Sequence, residues 1–265
     1  MLLLLRAIWR FRGFIKGAVW REFHSRYVRS AFGFLWAVAE PLSMILIYTL
    51  VFSKVMNARL PGLADGWSYS IYLCAGILTW GLFADTISRS QVAFLENANL
   101  LKKTHFPRIT LPIIALFSAS INFLISMLIL SVFLLLIDRV PDINVLIWIP
   151  LLILQQMFAV GIGVFTGVLN VFIRDTGKTM GVLLTFWFWA TPIVYPLDIL
   201  PLELREMILT YNPMAPLVSF YQSLILGTES PDPTSLVPLI VCTFVFLVAG
   251  YLVFNRLADD LVDEL

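Results

Sequence analysis

The chain has 265 residues, 60% of them hydrophobic and only 13% charged, with a formal net charge of +1. A soluble domain carries roughly twice that charged fraction, and several apolar runs here approach or exceed the ~20 residues a helix needs to cross a bilayer core. Composition therefore excludes a soluble fold and describes a polytopic, all-α integral membrane protein, in which the placement of each charge says more than the sum.

Residues 1–30 carry seven basic side chains and a single acid, Glu22. Leu4, Ile8, Phe11, Ile15, Val19 and Phe23 recur at helical spacing, with Arg6, Arg10 and Lys16 off that stripe. This predicts an amphipathic helix lying in the membrane interface, its cations near anionic head groups. The run Leu2–Leu5 is too short for a signal-peptide core.

Six apolar spans follow, over Phe34–Val55, Tyr69–Ile87, Ile109–Ile137, Val145–Leu169, Thr179–Leu197 and Leu236–Phe254. An even number puts both termini on one side. That side holds fourteen Lys and Arg, in 1–30, 88–108, 170–178 and the C-terminal tail, against four on the other, Lys54, Arg59, Arg139 and Arg205. The asymmetry predicts cytoplasmic termini.

Between the second and third spans, residues 94–112 read FLENANLLKKTHFPRITLP. A short amphipathic segment with Lys102, Lys103 and Arg108 at its end cannot sit in hydrocarbon. It reads as a handle at the cytoplasmic surface, pushed by a partner protein that supplies the energy for transport. The connection 198–235 on the opposite side is acidic, yet Leu202–Thr210 and Met214–Leu226 are amphipathic enough to form short helices separated by the breaker Asn212-Pro213. They are read as two re-entrant helices, the alternative being a surface loop with two interfacial helices.

Few side chains suggest chemistry. Cys74 and Cys242 lie inside apolar runs without CxxC spacing and read as small buried hydrophobes. His24 and His105 form no HExxH-type pair, so a metal-dependent membrane enzyme is poorly supported. Glu40 and Asp85 are intramembrane ionisable groups with either a structural or a substrate-contacting role. Gly163 and Gly167 form a GxxxG that allows helix backbones to approach, and Gln155 and Gln156 precede it with amides able to bond across helices. The fifth span is dense in aromatics, Phe186, Trp187, Phe188 and Trp189 and then Tyr195, which form either an interfacial belt or a pore wall on which sugar rings lie flat. Gly177-Lys178-Thr179 imitates the tail of a P-loop, but Phe172 stands where its first glycine belongs. Any ATP is therefore expected on another chain.

Several stretches together carry a resemblance: Gly33-Phe34-Leu35-Trp36 with Glu40-Pro41, Leu100-Leu101-Lys102-Lys103 leading to Phe106-Pro107-Arg108, Asn170 to Asp175, Thr191 to Pro196, and Tyr211-Asn212-Pro213-Met214. In this order they resemble the permease subunit of type-2 ABC exporters of lipid-linked O-antigen, capsular polysaccharide or teichoic acid, most like the O-antigen branch. The resemblance covers essentially the whole chain, as one transmembrane domain over 1–265. It implies a homodimer in the bacterial inner membrane, two ATPase subunits that bind the ATP and Mg, a lipid-linked polysaccharide substrate, and no nucleic acid. It implies further that 94–108 is the coupling helix, that the 1–30 helix lies at the same interface, and that 199–226 gates the outer mouth. The residues expected at the ATPase are Arg21, Glu22, Leu100, Lys102, Lys103 and Arg108. Phe186, Trp187, Trp189 and Tyr195 are expected along the substrate channel, and Tyr211, Asn212 and Pro213 at the gate. No cofactor is expected on this chain, and no catalytic or metal-binding residue. A different amphipathic cargo and a membrane transferase acting on a lipid-linked sugar are the rival readings.

Overall fold

The computed structural model describes residues 10–28, 33, 35–55, 60, 63, 66–103, 107–139, 145–257 and 260–264. All regular structure among them is helical. In chain order the helices are α1 (Arg12–Val28), α2 (Leu35–Tyr48, continued as a π-helix over Thr49–Val55), α3 (Ser68–Glu96) and α4 (Ala98–Lys103). Then come α5 (Thr110–Leu136), α6 (Val145–Phe172), α7 (Asp175–Ala190), α8 (Leu202–Tyr211), α9 (Met214–Leu226), α10 (Val237–Leu257) and α11 (Asp260–Asp263).

Among the described residues, five segments are long and apolar enough to cross a membrane: Leu35–Ser53, Ser68–Glu96, Thr110–Leu136, Ile147–Phe172 and Pro233–Leu257. They match the expected first, second, third, fourth and sixth spans. The fifth differs. Helix α7 starts at Asp175 rather than Thr179 and stops at Ala190, because Pro192 cannot continue a helix and restricts the residue before it. Its 16 residues rise ~24 Å, short of the ~30 Å of hydrocarbon.

Helix α3 is the axis of the bundle. It is buried over most of its length and packs against α5, α6, α7 and α9. In lipid, apolar surface alone does not hold helices together, so close backbone approach and interhelical hydrogen bonds must. Both are present. A Cβ on Gly163 would stand 2.5 Å from Ser90 Cβ, and one on Gly167 would stand 2.8 Å from the Ser90 carbonyl oxygen. The GxxxG of α6 thus seats it directly on α3. On the other face of α6, a Cβ on Gly161 would meet the Leu247 nitrogen of α10 at 2.9 Å. Gln155 Nε2 donates to the Thr79 carbonyl at 2.7 Å. Gln156 accepts from Thr86 Oγ1 at 3.0 Å and donates to Ser120 Oγ at 2.9 Å, joining α3, α6 and α5. Stacked Phe83 and Phe158, both fully buried, fill the centre.

Two expected boundaries shift. Phe94, Leu95 and Glu96, assigned from sequence to the short segment 94–108, extend α3 instead; among the described residues the separate helix covers Ala98–Lys103. The amphipathic helix of 1–30 is observed as Arg12–Val28, and Leu4 and Ile8 of its stripe lie outside the described residues. Its Ile15 and Val19 are buried in a cluster with Phe94, Leu111, Ile114 and Val168, so this stripe faces protein. At the opposite end of the bundle, the exposed Asp232 accepts a hydrogen bond from the Thr234 N–H at 2.9 Å. That bond holds its carboxyl below the ordinary aspartate range and opens the turn into α10.

Candidate functional site: the basic end and the Asn212 turn

Two regions bring the expected residues together. At the basic end, α3 and α4 meet at Asn97. Its side chain donates to the Ala93 carbonyl at 2.9 Å, while its own carbonyl accepts from Leu100 N and Leu101 N, each at 3.0 Å. A single residue of irregular backbone thus separates them, and hydrogen bonds on both sides of it join α4 to the long central helix. Lys102 is exposed, Leu100 and Arg108 are half-buried, and the Lys103 side chain lies outside the described residues. Arg21 is exposed on α1, beside a cleft of about 690 Å³ lined by Phe14, Arg21, Arg89 and Leu100.

Glu22, also expected at the ATPase, is bonded within the chain. It accepts from Arg89 Nη1 and, at 2.8 Å, from Ser118 Oγ, while Arg89 Nε donates to Asp85 Oδ1 at 2.7 Å. One guanidinium and one carboxylate therefore tie α1, α3 and α5. The low-dielectric surroundings favour pairing such charges over leaving them apart. The spacing of Asp85 and Arg89, four residues apart on one helix, was the sequence signal for half of this network.

At the far end the chain is held by a different chemistry. Tyr72 Oη lies 2.9 Å from the Pro192 carbonyl and 3.0 Å from that of Tyr195, and Tyr69 Oη donates to the Val194 carbonyl at 2.6 Å. These bonds lay the irregular strip 191–196 along α3. Helix α8 follows, and the chain then turns at Asn212, whose amide is fully used. Its Oδ1 accepts from Trp187 Nε1 at 2.9 Å and from the Met214 N–H at 3.0 Å. Its Nδ2 donates to the Ala190 carbonyl at 3.0 Å and to Thr191 Oγ1 at 2.9 Å. Four bonds are the full capacity of a primary amide. Asn212 thereby closes the end of α7 and opens α9 at once.

The level of this turn follows from Trp187. Its ring packs edge-on against Phe83 at 5.3 Å and Phe158 at 6.1 Å, and both phenylalanines lie about halfway along their helices. The Asn212-Pro213 turn therefore sits near mid-depth of the bundle. From it α9 climbs back along α3, Gln222 Nε2 reaching the Tyr72 and Pro192 carbonyls at 3.4 Å each.

The expected channel aromatics divide. Phe186 and Trp189 are 72% and 60% exposed, Trp187 turns inward to hold Asn212, and Tyr195 Oη donates to the Trp189 carbonyl at 3.1 Å. Of the gate residues, Tyr211 is exposed, while Asn212 and Pro213 are buried. Glu40 and Asp85 line a groove of about 950 Å³ between α2, α3 and α5. The described residues include no group of three or more metal-ligand side chains.

Residues 14–226 match the family model described as "ABC-2 type transporter". Two O-antigen export system permease proteins of Klebsiella pneumoniae are 30% and 31% identical over 239 residues, which is 89% of this chain and of each relative. A third, from Myxococcus xanthus, is 28% identical across the full length of both chains. A polysialic acid transport protein of Escherichia coli is 24% identical over 240 residues, 89% of this chain and 90% of that protein. With its apolar helices, its half-depth turn and a family match over most of its length, this chain is a membrane permease of the ABC-2 type transporter family.

Proposed function

We propose that this chain is the channel subunit of an ATP-driven exporter that moves a lipid-linked, O-antigen-like polysaccharide across the bacterial inner membrane. The observation that carries the cargo is the similarity to O-antigen export permeases at 28–31% identity over 89–100% of the chain. The weaker likeness to a polysialic acid transporter sets capsule second. Two copies pair, two ATPase subunits dock at the basic end, and that end faces the cytoplasm. In this reading the fifth crossing is made by α7 together with the strip 191–199. Helices α8 and α9 form the re-entrant pair, supported by the mid-depth position of Asn212.

The geometry suggests how force crosses the molecule. Closure of the ATPase dimer on ATP displaces α4, and Asn97 passes that displacement to α3. Helix α3 grips the far end through Tyr69, Tyr72, Trp80 and Phe83, which hold the strip 191–196 and the Trp187 indole. Movement of α3 therefore reaches the Asn212 turn without a long chain of weak contacts. The partner's two states must contact α4 differently for this to do work. Phe186 and Trp189 then offer aromatic faces to a passing glycan between two copies. Trp187 holds the turn.

The test is export in inverted membrane vesicles containing this chain and its ATPase, with lipid-linked polysaccharide in the outer leaflet. ATP is expected to bring the glycan inside, protected from an added glycosidase. Protection without ATP, or transfer of sugar to another lipid, would contradict the proposal.

A further inference from the structure

Helix α11, beyond the last long helix, packs at the basic end against α4 and α6. Leu261 is fully buried there. It belongs to the same apolar cluster as Leu101 of α4, Ile15 and Val19 of α1, Phe94 of α3 and Val171 of α6. Phe254 of α10 stacks on Phe94 at 6.1 Å, which sets the end of α10 against this cluster and directs the following residues toward it. Helix α4 is described over six residues, far below the length at which a helix holds its own shape in water. Its place must come from packing. Among its described side chains only Leu101 is buried, in the cluster that Leu261 helps to fill. The two packed segments carry opposite charges: Lys102 of α4 is exposed, and so are Asp260 and Glu264, within a sequence that holds Asp259, Asp260, Asp263 and Glu264.

We propose that α11 is part of the ATPase-docking platform, that Leu261 is a positioning residue for α4, and that the fitting partner surface is of mixed charge. An acidic strip would lie opposite Lys102, with a cation opposite Asp260 and Glu264. Removing the Leu261 side chain frees α4 to shift when pushed, so that part of each ATPase stroke is lost before it reaches α3. This inference rests on the reading of α4 as the element the ATPase pushes.

The test uses the full chain assembled with its ATPase in vesicles, with a nitroxide label on a cysteine at the exposed Asn99. Leu261→Asp is expected to raise the mobility of the label and lower glycan exported per ATP hydrolysed about fivefold, the scale on which such coupling residues act. Leu261→Met is expected to keep both near wild type. If Leu261→Asp fails to accumulate in the membrane, Leu261→Ala is read in the same way. Wild-type mobility and export per ATP in the inserted variant would overturn the proposal. Lys102→Glu/Lys103→Glu, run in parallel, separates the two claims. Loss of export there with no change in the Leu261 variants overturns the positioning role alone, whereas normal export there removes the reading beneath it.

Discussion

The two short helices on either side of Asn212 have opposite surroundings. Helix α9 buries nearly every residue; α8, of ten residues, buries none. Their sequences account for the difference. Helix α9 carries no charge, and its Gln222 finds carbonyl acceptors, so it can sit inside the bundle at little polar cost. Helix α8 interleaves Glu203, Arg205 and Glu206 with Leu202, Leu204 and Met207, and three charges have no place against α3. One helix is thus part of the subunit's core. The other leaves Leu202, Leu204 and Met207 exposed on the surface of the subunit, and the chain passes from one to the other at Asn212.

That contrast can be broken at its hinge. Asn212→Ala leaves Trp187 Nε1, the Met214 N–H, the Ala190 carbonyl and Thr191 Oγ1 without this partner. Buried groups so orphaned cost roughly 1–3 kcal/mol each, and the variant is expected to lose stability and export together, measured by thermal unfolding in detergent. Next comes the seat of α9. A Cβ on Gly76 would stand 2.8 Å from Gln222 Nε2, so Gly76→Val is expected to cost about 1–3 kcal/mol by overpacking and to loosen α9 in hydrogen exchange. Tyr72→Phe removes one hydroxyl from the strip 191–196 and is expected to cost about 1 kcal/mol, with faster exchange of those amides. The smallest effect belongs to α8. Arg205 pairs with Asp198 at 3.0 Å on an exposed surface, and Arg205→Ala is expected to change the unfolding midpoint by less than ~1 kcal/mol of stability. A large loss from Arg205→Ala would mean that the charged face of α8 is packed against something the single chain does not contain.

Hydropathy located the long helices because length and apolarity are local properties of sequence, and the packing role of Gly163 and Gly167 was legible for the same reason. The course of the chain after α7 was not. Pro192 ends the helix, but Val194 and Tyr195 look apolar enough to continue the span, and hydrogen bonds from Tyr69 and Tyr72, more than a hundred residues away, lay that strip along α3. The bonds of Glu22 inside the chain were not legible because its partners, Arg89 and Ser118, are remote in sequence. Trp187 shares its aromatic run with Trp189, yet one turns in and the other out. Two residues apart on a helix lie about 200° from each other, and which of the two faces inward is set by the packing of Trp187 against Phe83 and Phe158. Leu261 gave no signal, since one leucine in an acidic stretch acquires a neighbour only through the fold.

The central claim is that this chain conducts while another chain burns ATP, and it is tested most directly by measuring ATP hydrolysis of the purified protein alone and co-purified with its ATPase. The account predicts no hydrolysis by the chain alone, and activity in a stable assembly of two copies of each. Hydrolysis by this chain by itself, or failure of any assembly to form, would contradict it.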